Sequence, residues 1–122
     1  MLVIQTAILL SGFWATPAQE PVSFDRQIRP LLASRCILCH GNAEESRKAD
    51  LRLDTRDGLM SAMRRGGTVV VPGDPDSSGL FQRVSTDDIS RRMPPADEGH
   101  PPLSQQEIEL LRRWIQEGAE WE

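Results

Sequence analysis

The apolar positions fall into short helical stripes separated by long polar or proline-rich stretches. Phe24, Ile28, Leu31 and Leu32 recur at i, i+4, i+7 and i+8, and Ser23 stands at the N-cap position before them. Pro30 falls inside this stripe and cannot donate to the carbonyl of Arg26, which predicts a kink or a restart. Residues 42–50 are polar and read as a solvated loop, after which Leu51 and Leu53 alternate with Arg52 and Asp54 as a short extended segment does. A helix is expected from Asp54 or Thr55 to Gly66 and Gly67, then an extended Val69 to Val71 and a turn at Pro72 and Gly73. Asp74 and Pro75 read as N-cap and first helical position of a helix carrying Leu80, Phe81 and Val84 on one face. The last helix has a capping box, Ser104 with Glu107, and a hydrophobic staple, Leu103 with Ile108. Ile108, Leu111, Trp114 and Ile115 form its buried stripe, and Gly118 ends it. The pattern predicts an all-α fold of short helices and long loops.

Residues 1–18 differ in kind from the rest. They contain no charged side chain, carry an apolar run from Leu2 to Trp14, and end in Thr16, Pro17 and Ala18. The run is short for a bilayer span, and the segment reads as a signal peptide, although no Lys or Arg precedes the apolar run. The expected organisation is a signal peptide over residues 1–18 and one domain over residues 19–122. That domain is exported to the periplasm, and it contacts a membrane only if the leader stays uncleaved.

The chemistry is concentrated in Cys36, Ile37, Leu38, Cys39 and His40. C-x-x-C-H is the pattern for covalent c-type haem, and the chain has no other cysteine. On a helical turn, positions i, i+3 and i+4 face one way, so two thiols and one imidazole can meet a single porphyrin. Cys36 and Cys39 are then the attachment sites for one haem c, and His40 is the proximal iron ligand. The same residues could serve as a dithiol or half of a zinc site. Zinc needs about two more Cys or His ligands and only His40 and His100 remain, while a thioredoxin-like dithiol wants a βαβ context that the pattern lacks.

Composition supports a cofactor domain. Of 122 residues only 5% are aromatic, none is Tyr, and nine are proline, so the side chains alone make a thin core that a buried porphyrin would enlarge. A formal charge of −4 gives no basic face for nucleic acid. Residues 85–102 form a long loop stiffened by Pro94, Pro95, Pro101 and Pro102. Such a loop can hold a side chain over a haem face, and Met93 offers the soft thioether that commonly stands opposite histidine in electron-transfer cytochromes. Met60 and Met63 read as core filler. Arg52, Arg91 or Arg92 could reach a haem carboxylate, but each reads by default as a solvated charge.

Several segments together carry a family resemblance. Residues 22–32 (VSFDRQIRPLL), the C-x-x-C-H-G run, residues 48–56 (KADLRLDTR), 71–75 (VPGDP), 92–95 (RMPP) and 110–121 (LLRRWIQEGAEW) resemble the planctomycete-type cytochrome c domain. The resemblance implies a class I cytochrome c fold around one covalent haem. It assigns Cys36 and Cys39 to attachment, His40 to the proximal side and Met93 to the distal side of the iron. In that family the domain usually opens a much larger protein, so this chain is expected to be a stand-alone carrier or one piece of a split protein. The expected function is single-electron transfer between redox protein partners, without catalysis. The alternatives are a haem-based sensor with an open distal site and an interaction module separated from its larger protein.

Overall fold

The computed structural model describes residues 12–97 and 99–122. Residues 1–11, most of the expected signal peptide, lie outside the described residues, and residues 12–18 are exposed. No helix among the described residues is long and apolar enough to cross a membrane.

Five helices follow in order: α1 (Arg29–Arg35), α2 (Ile37–His40), α3 (Arg56–Leu59), α4 (Gly79–Ser85) and α5 (Gln105–Gln116), with a π-helical turn, Phe24–Ile28, leading into α1. The described residues hold isolated bridges, Ala62 with Thr68 and Thr68 with Ser78, but no strand. The helical expectation therefore holds, yet only 35% of the structure is helical and loops do much of the positioning.

Pro30 restarts the helix as expected. The Arg29 N–H reaches back five residues to the Phe24 carbonyl, and this wider turn lets Pro30 fall in the first turn of α1, where no N–H is needed. The stripe survives the change of register, with Phe24, Ile28, Leu31 and Leu32 all buried.

α5 crosses the π-helical turn and also packs on α4. Leu111, Trp114 and Ile115 are fully buried, and Trp114 meets Phe24 with ring centroids 5.5 Å apart. Trp121 stacks on the same Phe24 ring at 4.1 Å, with the Arg29 guanidinium 5.1 Å from its centroid. The Ser104 hydroxyl caps α5 by accepting from the Glu107 N–H. At the other end, Ala119 N–H bonds the Trp114 carbonyl and Gly118 N–H bonds the Ile115 carbonyl, the paired arrangement of a Schellman stop. Gly118, at φ 110°, occupies the left-handed position this stop requires.

Two helices are shorter than the pattern predicts. α3 ends after Leu59, because Ser61 accepts from Val69 N–H and Ala62 bridges Thr68, which commits to a turn the backbone groups that a longer helix would use. α4 begins at Gly79 rather than Pro75. Asp74 Oδ1 instead takes the Ser77 N–H, and the buried Ser78 hydroxyl bonds Val71 N–H and the Asp74 carbonyl. Val69 and Val70 pass through the core between these turns.

Candidate functional site

The Cys36 N–H closes the last turn of α1 on the Leu32 carbonyl, and the chain then bends at Cys36, whose φ is −128°. α2 starts immediately, with Cys39 and His40 N–H groups both returning to the Cys36 carbonyl at 3.2 and 2.9 Å. That single turn brings Cys36, Cys39 and His40 to the wall of one cleft, as their spacing predicts. Leu38 stands beside them and is 75% exposed, which leaves this rim of the cleft open to solvent.

The imidazole is oriented by backbone. His40 Nδ1 lies 3.1 Å from the Lys48 carbonyl, which can only accept, so Nδ1 carries the proton and Nε2 keeps its lone pair. Burial holds the ring below its ordinary value of 6.5, and hydrogen bonds to the backbone of Lys48 and Leu51 partly oppose that. The neutral form is thus the ground state at pH 7, which is the form that ligates a metal. The Cys36 thiol is pushed up to about 11 by burial, only partly offset by the Arg35 charge. Dithiol exchange needs a thiolate near neutral pH, so Cys36 is poorly suited to it.

The cleft has a volume of about 310 Å³ and is mostly apolar, with Leu51, Leu53, Val69, Leu80 and Val84 on its walls. Met93 reaches it from the loop after α4. This loop is pinned rather than loose: Met93 N–H donates to the Arg83 carbonyl, and Arg92 donates to the carbonyls of Pro94 and His100. Pro94, Pro95 and His100 also line the cleft, so Met93 shares it with a second side chain that can donate to iron, the imidazole of His100. Met63, expected as core filler, both packs on the core and lines the cleft.

The arginines suggested for haem carboxylates do not line this cleft. Arg52 is held by both Asp54 oxygens, Arg92 is spent on loop carbonyls, and Arg91 faces a second, smaller cleft. The cations that do line it are Arg35, Lys48 and Arg83. Arg83 was legible in principle: with Leu80 and Val84 it forms an i, i+3, i+4 set, a cation inside an apolar stripe. Arg35 is tied to α5 by two bonds to Glu107, at 2.9 and 3.2 Å.

An apolar slot with paired thiols, a neutral imidazole of fixed tautomer and a thioether from a second segment matches the needs of a covalently held haem. No group of three or more His, Cys, Asp or Glu side chains that could hold a metal ion by themselves occurs among the described residues.

No curated protein and no solved structure matches the chain. The family described as planctomycete cytochrome C matches residues 36–97, from the first cysteine into the loop beyond Met93 and just over half of the chain. Haem binding and electron transfer are the functions proper to a cytochrome c domain. The motif, the cleft that gathers it and this match agree, and the chain belongs to the planctomycete cytochrome C family.

Proposed function

We propose that the chain is an exported, mono-haem cytochrome of the class I type that carries single electrons between redox protein partners and is not itself an enzyme. The convergence of Cys36, Cys39, His40 and Met93 on one apolar cleft carries this reading. Cys36 and Cys39 would hold the cofactor through two thioethers, each thiol adding across a vinyl group with its sulfur on one carbon and its proton on the other. Nε2 of His40 would be the first iron donor, the ring being kept in place by the Lys48 carbonyl on Nδ1. The Met93 sulfur would be the second donor, and its loop, pinned by the Met93 N–H on the Arg83 carbonyl, would limit the reorganisation of that ligand. When bound, haem c supplies the one-electron iron couple. The remaining lining residues exclude water from it, while the exposed Leu38 marks the rim at which a partner approaches. Export rests on the uncharged apolar residues 1–18, and the formal charge of −4 speaks against nucleic acid or anionic lipid as partners.

The protein made with c-type maturation machinery should carry one haem that survives acid-acetone extraction, and replacing Cys36 and Cys39 by Ala should abolish that retention. Extractable haem in the unaltered protein would sink the covalent assignment. A reduced protein that binds carbon monoxide readily at neutral pH would turn the reading toward a haem sensor with an open distal site.

A further inference from the structure

Haem is amphipathic: an apolar ring suits this cleft, but its two carboxylates need cations or water. The apolar cleft and the smaller polar one share a wall made by Met63, Gly79 and Arg83. Beyond that wall the smaller cleft gathers Arg65, Arg91 and Gln82. Arg83 therefore stands where apolar lining gives way to polar lining.

Three cations line the apolar cleft, and they differ in availability. Arg35 is neutralised by Glu107. Neither Lys48 nor Arg83 has an acidic partner among the described residues. Lys48 is exposed, so water screens its flexible ammonium, whereas Arg83 is half-buried. Arg83 is also fixed, since its carbonyl receives the Met93 N–H and its Nη1 donates to the Arg91 carbonyl at 3.1 Å. A guanidinium has five N–H donors in a rigid fork, so a carboxylate can be bound by those that remain. A half-buried cation without a counter-ion is costly, and a carboxylate there would offset that cost.

The geometry points to Arg83 as the anchor for a haem carboxylate. This rests on the haem reading given above. It adds a link from that carboxylate, through one residue, to the backbone of the loop that presents Met93.

The test is the resonance Raman propionate-bending mode of the reduced holoprotein, which reports contacts to the haem carboxylates. Arg83→Gln should shift the mode. Arg83→Lys, which keeps the charge but loses the fork, should shift it less. Arg64→Gln, which removes the same charge at an exposed position, should leave it in place. If the Gln variant does not fold, the Lys variant decides alone, because loss of the fork must still displace the mode. A mode unmoved by Arg83 substitution, or moved instead by Lys48→Gln or Arg35→Gln, overturns the assignment while leaving the haem reading intact. A wild-type protein without haem bands overturns both.

Discussion

Removing Trp114 tests the packing that holds the two terminal helices together. The side chain is 1% exposed, contacts the Phe24 ring and donates its Nε1–H to the Glu120 carbonyl at 2.9 Å. Truncating a buried Trp to Ala costs about 3–5 kcal/mol. The lost hydrogen bond adds little, because Glu120 is exposed and water can take its carbonyl. A small domain has about 5–15 kcal/mol of stability in all, so Trp114→Ala should remove about a fifth of it at the least and most of it at the upper end. Trp121 is only half-buried; its stacking on Phe24 is worth about 0.5–1.5 kcal/mol and its Arg29 contact about 0.5–1 kcal/mol. Trp121→Ala should therefore cost roughly half as much as Trp114→Ala, more than a frayed chain end would. Guanidinium titration of the holoprotein, read by far-ultraviolet circular dichroism and haem absorbance, measures both as shifts in midpoint at constant slope. Equal losses, or a larger loss at Trp121, would refute this account of the core.

Three further outcomes are expected. Met93→Ala should abolish the weak far-red sulfur-to-iron band of the ferric protein and admit carbon monoxide to the ferrous one, whereas His100→Ala should do neither; a band that survives at Met93 but vanishes at His100 reverses the assignment. The Arg35 guanidinium holds the Glu107 carboxyl below its ordinary 4.5, so the pair contributes stability above that pH and loses it as pH falls through the folded value. Glu107→Gln should then lower the denaturation midpoint at pH 7 by the equivalent of about 1 kcal/mol or less and converge on the wild type as pH falls below the folded value; parallel curves would show that the pair is inert. A Cβ at Gly58 would run into the Arg52 backbone carbonyl, so Gly58→Ala should cost about 1–3 kcal/mol, and an unchanged melting temperature would contradict the packing of α3.

What could be read from the sequence was local. The C-x-x-C-H turn is a matter of helical spacing, the Pro30 restart follows from one missing N–H, and Ser104 with Gly118 bounds α5 by short-range capping. The errors lie where turns competed with helices for the same backbone groups. α3 stops because the Ser61 carbonyl serves Val69, and α4 starts late because the Ser78 hydroxyl bonds back to Val71 and Asp74. Met93 was singled out from its prolines, but the Arg83 carbonyl that holds its backbone was invisible without the fold. The same is true of Arg35 and Glu107, which are 72 residues apart in sequence.

Among the described residues, the hold on His40 comes from peptide groups. Lys48 N–H bonds the Cys39 carbonyl, the Lys48 carbonyl receives Nδ1, and Leu53 N–H bonds the His40 carbonyl. A carboxylate in the place of that carbonyl would push electron density onto the ring and strengthen it as a donor; a neutral peptide does so weakly. The donor strength of the imidazole is therefore written into chain geometry rather than into a side chain. Side-chain changes at position 48 leave it alone, and only a residue that alters the backbone, such as proline with its missing N–H, would retune it.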